Sequence, residues 1–288
     1  MATLRDIRRR INSVKSTQQI TKAMKMVAAA KLRKAQDRLM NARPYVDRLD
    51  ELLSHVTSKV DRNLHPLLEE REPRKICYVI VTADRGLCGS FNANVIRRAK
   101  SELDAQEPEN KVISIAIGKK GFAHFSRRDY EILKNYEGIF EGADIKDAAE
   151  IAKIVEDLYR KKELDRVFLV YNEFKSVAVQ NVMTQQLLPI PAKEPEIEKY
   201  RPADYFYEPS IGEILNEVCP RYLVVHIWRI LLESFAAEQA ARMVAMESAT
   251  DNAEEMIYDL TLYYNKVRQA AITREIADIV GGAEALRG

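Results

Sequence analysis

The segment TADRGLCGSFNAN, residues 82–94, has the position and residue types of a phosphate-binding loop. It follows the apolar run KICYVIVT at 75–82 and precedes a helical pattern, and backbone N–H groups between a strand and a helix bind phosphate well. The segment contains neither G-x-G-x-x-G nor G-x-x-x-x-G-K-[ST], however, and it has no lysine in the turn. We therefore expect Gly86 and Gly89 to serve a tight backbone turn, not a nucleotide.

Other residues that could do chemistry do not assemble into a recognisable site. The histidines are scattered without metal-ligand spacing; they are His55, His65, His124 and His226. The cysteines lack C-x-x-C spacing and are too few for a disulfide scaffold, which favours a reduced compartment; they are Cys77, Cys88 and Cys219. No Ser-His-Asp or Cys-His arrangement is evident. The sequence thus predicts no metal and no cofactor, and argues against an enzyme that is active by itself.

The middle of the chain, residues 74–208, has the pattern of a small Rossmann-like α/β domain. Four β-rich apolar runs predict strands at 75–82, 111–118, 166–174 and 182–190. Helical patterns lie between the first three, at 92–106, 119–127 and 144–162. Strands that alternate with helices predict a largely parallel sheet. A Pro-rich extended stretch follows, up to Pro209.

Residues 1–60 predict one long helix with the heptad spacing of a coiled coil. Apolar residues recur at alternating spacings of three and four, from Leu4 to Val56. The seam positions Gln18, Thr21 and Lys25 are polar, while Ile20, Met24 and Val27 lie beside them. This shift predicts that the apolar stripe rotates around the helix in this stretch, as a stutter would make it do. Pro44 predicts a kink.

Residues 209–288 continue a second heptad pattern, with Pro220 predicting a kink and Gly281-Gly282 predicting the end of the helix. Residues 1–43 carry twelve Lys or Arg and two acidic residues, about +10, whereas residues 208–288 carry seven against thirteen, about −6. Two long heptad segments of opposite charge predict an antiparallel coiled coil within the chain.

The acid-poor stretch ITKAMKMVAAAKLRKAQ, residues 20–36, raises the question of a partner. Its basic residues do not gather on one face and no aromatic residue precedes Tyr45, which disfavours a nucleic-acid stripe. Its Ala and Val face is too small for a membrane surface, so a protein-facing helix is favoured. In AARMVAMESATDNAEEM, residues 240–256, the charge of Arg242 needs an acidic or polar partner.

Targeting and membrane features are weak. No apolar run approaches the roughly 18 residues of a membrane span. The start resembles a transit peptide, but the apolar pattern continues beyond any cleavage point, which favours mature structure.

Two other classes of function remain open. One is a basic coiled-coil nucleic-acid protein, which would show salt-dependent DNA affinity. The other is an α/β nucleotide-binding enzyme, which would show ATP turnover by the isolated chain.

Four stretches together resemble the gamma-subunit family of bacterial F-type ATP synthases. They are IRRRINSVKSTQQITKAMKMVAAAKLRKAQ, TADRGLCGSFNAN, ESFAAEQAARMVAMESATDNAEEMI and YNKVRQAAITREIADIVGGAEAL. The resemblance extends over the whole chain. It implies a central stalk whose terminal helices form an axle inside a ring of α and β subunits. The α/β domain would lie at the foot, beside the ε subunit and on the c-subunit ring, at the cytoplasmic face of the plasma membrane.

The resemblance also implies contact residues along the axle. In KVRQAAIT, Arg268 and Gln269, with Thr273 one turn later, match positions that bind a β-subunit loop that catches the axle. The end AAITREIADIV would run in an apolar sleeve. Catalysis would belong to the β subunits, with no catalytic group from this chain.

Further positions match the lower part of the axle and the foot. Met24 and Arg242 match positions that affect coupling where axle and ring meet, and Arg85 would face an acidic β-subunit loop. Tyr205 and Tyr207 match positions at the foot, near the c ring and ε. Cys88 lies within the shared DRGLCG motif, so thiol control is not expected.

Overall fold

The computed structural model describes residues 3–58, 60–139, 142–192, 208 and 210–285. The helices are α1 (Leu4–Ser58), α2 (Phe91–Asp104), α3 (Lys119–Phe125), α4 (Ile145–Arg160) and α5 (Ile211–Ala285), with a short 3-10 helix at Arg62–Leu64. The strands are β1 (Lys75–Val81), β2 (Lys111–Ile117), β3 (Glu131–Tyr136), β4 (Arg166–Phe174) and β5 (Gln180–Leu188). Long helices at both ends and an α/β middle confirm the predicted fold class.

The five strands form one mostly parallel sheet in the order β3-β2-β1-β4-β5. The first four strands of this order run parallel to their neighbours, and β5 runs antiparallel to β4. Strand β1 lies in the centre and is buried from Ile76 to Val81, as its unbroken apolar run requires. Helix α2 covers the sheet with Val95, Ala99 and Leu103, spaced along one helical face.

Two strands differ from the sequence prediction. Strand β3, Glu131–Tyr136, was not predicted because it is an edge strand with only one buried residue, so it lacks an apolar run. Strand β5 lies two residues earlier than the predicted 182–190 and ends at Leu188. Pro189 follows, and a proline cannot donate a ladder hydrogen bond.

The chain forms two compact units, the first of which combines Met1–Ala28 with Met243–Gly288. Helix α1 starts there with a capping box: the N–H of Asp6 donates to Thr3 Oγ1, and the N–H of Thr3 donates to Asp6 Oδ2. Thr21 contacts Thr250 and Lys25 contacts Glu247, so α1 and α5 run antiparallel in this unit. The predicted antiparallel pairing is therefore confirmed here.

The second unit, Ala29–Arg242, contains the sheet and the remaining parts of α1 and α5. The heptad positions of α1 are buried, among them Leu32, Val46 and Leu53. In α5, buried residues between Tyr222 and Ala240 occur on every side of the helix. The heptad pattern of α5 accounts for only one of these buried sides. The other sides are buried because this segment also packs on the α/β elements, as where Trp228 Nε1 donates to the carbonyl oxygen of Ala143 at 3.0 Å.

The predicted helix end at Gly281-Gly282 is wrong, because α5 continues to Ala285. Glycine costs only about 1 kcal/mol relative to alanine in a helix, so a pair of glycines does not by itself stop one. Pro44 and Pro220 both lie inside continuous helices. Within the described residues, every helix falls short of the length and apolar character that crossing a bilayer requires.

Candidate functional site

In the loop after β1, the side chain of Asp84 accepts hydrogen bonds from backbone N–H groups at the carboxyl ends of β2 and β3. Asp84 Oδ1 accepts from the N–H of Lys119 and its Oδ2 accepts from the N–H of Gly138, each at 3.1 Å. These N–H groups follow β2 and β3, where a nucleotide phosphate binds in open α/β sheets. A carboxylate already takes these donors and would repel a phosphate. This geometry agrees with the sequence interpretation that the loop is not a phosphate cradle.

The same loop is tied to helix α5 by a buried ion pair. Arg242 Nη2 lies 2.7 Å from Glu238 Oε1 and donates to the carbonyl oxygen of Gly86 at 3.1 Å. Only 11% of the Arg242 side chain and 7% of the Glu238 side chain are exposed. Burial raises the pKa of Glu238, and the positive charge of Arg242 opposes that rise. The prediction that Arg242 needs an acidic or polar partner is confirmed, and the acidic partner, Glu238, is on its own helix.

Alternate residues of the loop point in opposite directions. Cys88 is buried among Ala83, Phe91 and Ala237, and burial raises the pKa of its thiol, which disfavours the reactive thiolate. Arg85 and Leu87 are exposed. Gly89 has a positive φ of 56°, as expected of a turn glycine. Among the described residues, Gly86 does not have a positive φ. Its contribution to the loop is the carbonyl oxygen that accepts a hydrogen bond from Arg242.

In the unit of Met1–Ala28 and Met243–Gly288, polar contacts between the helices occur beside buried apolar side chains, which include Ile7, Ile11, Met246 and Ala253. Thr21 is buried, and its Oγ1 lies 2.8 Å from Oγ1 of Thr250. Lys25 Nζ lies 2.6 Å from Glu247 Oε1. The predicted rotation of the apolar stripe is wrong. Ile20 and Val27 are 57% and 56% exposed, whereas the polar seam residue Thr21 is buried.

The predicted contact residues of α5 lie on an exposed part of that helix. Arg268, Gln269 and Thr273 are all exposed, and Thr273 Oγ1 donates to the carbonyl oxygen of Gln269 at 2.9 Å. The helix carries exposed apolar side chains on both sides of them along the chain. These are Tyr258, Leu262, Tyr263, Ile272, Ile276, Ile279 and Val280. Apolar side chains of this number on one exposed helix are typical of a surface that another protein covers.

The structure brings some predicted residues together and not others. Arg242 contacts the loop that carries Arg85, at the carbonyl oxygen of Gly86. Met24 is half-buried on α1, and Tyr205 and Tyr207 lie outside the described residues. The sequence analysis missed two residues in or against this loop, Glu238 and Leu87. The i,i+4 spacing of Glu238 and Arg242 could have indicated their pairing, whereas nothing in the sequence marks Leu87.

Comparison with known proteins covers the full length of the chain. The sequence model of the family described as ATP synthase matches residues 3–286. The chain is 51% identical over 292 residues to the ATP synthase gamma chain of Chlorobaculum parvum, with 100% of both chains covered. It is also 51% identical over 294 residues to that of Chlorobium phaeobacteroides, again with 100% of both covered.

The chain belongs to the ATP synthase gamma chain family. Two solved structures agree with this assignment. The central stalk and c-ring structure of the Tetrahymena thermophila mitochondrial ATP synthase is 30% identical, with a TM-score of 0.61, and the match covers 80% of this chain and 99% of that one. A rotor chain of the Euglena gracilis mitochondrial ATP synthase, at 21% identity, shares the fold with a TM-score of 0.65 over 93% of this chain and 98% of that one. As a gamma chain, the protein is the central-stalk subunit of an ATP synthase, as the sequence resemblance implied.

Proposed function

We propose that this gamma chain transmits rotation of a membrane-embedded c-subunit ring to the β subunits of the catalytic ring, coupling ion flow to ATP synthesis or hydrolysis. Its partners are the α and β subunits, the ε subunit and the c ring. It has no catalytic activity alone, and it is attached to the cytoplasmic face of the bacterial plasma membrane only through the complex. The axle helices, 1–60 and 209–288, and the foot, 74–208, divide this work.

The observation that carries the proposal is the set of large exposed apolar side chains in the unit formed by Met1–Ala28 and Met243–Gly288. Its two helices bury Ile7, Ile11, Met246 and Ala253 and contact each other at Thr21–Thr250 and Lys25–Glu247. Other large apolar side chains, such as Ile20 and Ile276, are nevertheless exposed. A helix pair that had to be stable in water by itself would place its apolar residues in the seam. This one is suited to a sleeve formed by other subunits.

The mechanism rests on differential contact. An asymmetric rotor in a ring of three catalytic sites presents a different face to each β subunit at a given moment. It shifts the conformation of each β subunit only by as much as its contacts differ between the conformations. In this proposal Arg268, Gln269 and Thr273 contact the β-subunit catch loop, and Met24, Arg242 and Arg85 act where axle and ring meet. Tyr205 and Tyr207 belong to the foot near ε and the c ring.

Co-purification tests the proposal. A tagged chain expressed with the α, β and ε subunits should co-purify with all three in fixed ratio, and the isolated chain should show no ATP turnover. If the chain instead bound DNA in a salt-dependent manner and left α and β behind, a basic coiled-coil nucleic-acid protein would be favoured. Turnover of ATP by the isolated chain would favour the nucleotide-binding enzyme.

A further inference from the structure

The carbonyl oxygen of Ala143 accepts hydrogen bonds from both long helices. Trp228 Nε1 of α5 donates to it at 3.0 Å, and Arg38 Nη2 of α1 donates to it at 3.3 Å. The other terminal nitrogen of Arg38, Nη1, donates to the carbonyl oxygen of Gly142 at 2.6 Å. All four residues belong to the unit Ala29–Arg242. Two helices that are far apart in sequence thus hold the same short piece of the α/β domain.

Ala143 itself has a backbone conformation that its side chain disfavours. Its φ is 38°, in the left-handed region where a Cβ atom is crowded, and the residue is completely buried. Its N–H donates to the carbonyl oxygen of Ile139 at 2.8 Å. A strained backbone persists where the surrounding contacts determine it, and such a residue is a reason to look for a function. The hydrogen bonds from Arg38 and Trp228 are among the contacts that determine it here.

Helix α4 begins directly after this point and is tied to the sheet. Asp144 caps the helix, because its side chain accepts from the N–H of Lys146 at 3.4 Å. Two turns further on, Glu150 Oε1 accepts from Lys134 Nζ at 2.7 Å and from the hydroxyl of Tyr136 at 3.3 Å. Both donors are in strand β3. The residues that the long helices hold are therefore continuous with α4 and, through it, are connected to the edge of the sheet.

These hydrogen bonds restrict the angle between the α/β domain and the helices. Apolar burial is non-directional, so it favours close contact but specifies no single angle. Hydrogen bonds require alignment as well as distance, and the planar guanidinium of Arg38 donates to two successive carbonyl groups at once. Rotation of the domain about α5 would stretch the bonds from Arg38, whereas rotation about α1 would stretch the bond from Trp228. Donors on two helices therefore oppose rotation about either one.

We propose that Arg38 and Trp228 are positioning residues that fix the angle of the α/β domain on the two long helices, so that torque applied to the domain reaches both helices together. The group formed by Arg38, Gly142, Ala143 and Trp228 is called the clasp below. This inference rests on the proposed rotor function, in which the foot and the axle must turn as one body. It assigns the transfer of torque between them to a contact within this chain.

The test measures torsional stiffness in the complex that this chain forms with the α, β and ε subunits. The catalytic ring is fixed to a surface, rotation is stopped by withholding ATP, and a bead is attached to a cysteine introduced at Ser101, an exposed residue of α2. Trp228→Phe keeps an aromatic ring but loses the N–H donor, and Arg38→Met keeps an unbranched side chain but loses every donor. Each substitution should raise the variance of the bead's thermal angular distribution by about twofold or more, because displacement grows when a restraint is lost.

Two further variants separate the clasp from a general effect of substitution. The control is Arg48→Met, at an arginine of the same helix whose side chain is 82% exposed, which should leave the angular variance unchanged. Arg38→Lys keeps one charged donor but cannot span two carbonyl groups, so it should recover part of the stiffness lost in R38M. Each variant is read alone, so W228F and R38K decide the matter if R38M does not assemble.

A variance in W228F or R38K equal to that of the parent chain would overturn the proposal, even if thermal unfolding showed a loss of stability. That result would mean that the clasp only stabilises the fold. An equal rise of the variance in R48M would also overturn it. Failure of the unsubstituted chain to assemble with α and β would be a different result, since it would overturn the proposed function itself.

Discussion

His226 of α5 and Asp50 of α1 form a buried contact between the two long helices, with Nε2 of the imidazole 2.6 Å from Oδ1 of the carboxylate. Only 1% of the His226 side chain is exposed, and the ring of Tyr222 lies over it at 3.9 Å between centroids. A buried polar contact of this kind contributes little net stability while intact, but it is costly to break from one side.

Asp50→Ala should therefore destabilise the unit Ala29–Arg242 by about 1–3 kcal/mol, because it removes the buried hydrogen bond to His226. Urea unfolding followed by circular dichroism measures this change. The control is Asp47→Ala, at an exposed position one turn earlier on the same helix, which should change stability by less than about 0.5 kcal/mol. Equal losses in the two variants would contradict a special contribution of the contact.

The threonine pair should be replaceable by valine. The hydroxyl groups of Thr21 and Thr250 also reach carbonyl oxygens of their own helices, at Gln18 and Met246. The double variant T21V/T250V removes both partners of the contact and buries two methyl groups in place of hydroxyls, so we expect thermal unfolding to show a gain of about 1 kcal/mol. The matched control is Thr17→Val, an exposed threonine with the same bond to its own helix, which should show no gain. A loss in the double variant would mean that the hydroxyl contact is stabilising.

His65 should make stability depend on pH. Burial and the nearby Arg160 lower the pKa of His65 from 6.5 to about 4. The N–H of Leu67 donates to its Nδ1, and Arg160 Nη2 lies 3.4 Å from its Nε2, a contact that disfavours an imidazolium. Above pH 6.5 the imidazole is neutral in the folded and the unfolded chain, and its contribution to stability is complete.

As the pH falls from 6.5 to about 4, the unfolded chain takes up a proton at His65 that the folded chain does not, so stability is lost across this interval. The loss attributable to His65 should reach roughly 3 kcal/mol. His65→Gln should flatten this part of the curve of unfolding free energy against pH. A slope that is the same in H65Q and the parent chain would refute the assignment.

Arg268 and Gln269 should matter more for coupling than for assembly. Replacing both by Ala leaves the helix intact, since alanine is the best helix former. We expect ATP synthesis by the reconstituted enzyme to fall by about tenfold, the equivalent of about 1.4 kcal/mol of lost contact, while the yield of assembled complex stays within about twofold. The control is Lys266→Ala at a nearby exposed position. Unchanged synthesis and rotation in R268A/Q269A would remove these residues from the proposed contact with β.

Gly118 should tolerate no side chain. Its φ is +90°, and an added Cβ would lie 2.0 Å from the backbone oxygen of Thr82, at the point where β1 and β2 end. Gly118→Ala should destabilise the folded chain by about 3 kcal/mol or more, because backbone must move at the centre of the sheet. Gly138→Ala has a similar φ of +77° but open space around it, so thermal unfolding should show only about 1–2 kcal/mol. Similar losses at both glycines would show that backbone conformation alone sets the cost.

The elements that the sequence predicted well are those with a strong local pattern. The predicted strand at 166–174 coincides with β4, and the predicted helix at 144–162 contains α4 with two extra residues at most at each end. Strand β3 has no such pattern, because an edge strand gains its order from the neighbour to which it is hydrogen-bonded. The family could be identified from long motifs that occur in a fixed order. Most of the predicted contact residues are positions within those motifs.

The sequence by itself determined the fold class, the antiparallel pairing of the terminal segments and the family, because hydrophobic period and motif order are properties of the chain alone. The tertiary structure decided which side chains of those segments are buried. Thr21 is buried because Thr250 lies opposite it, and Arg242 turns inward because Gly86 and Glu238 accept its hydrogen bonds. Burial is set by partners that are distant in sequence, and no local pattern specifies them.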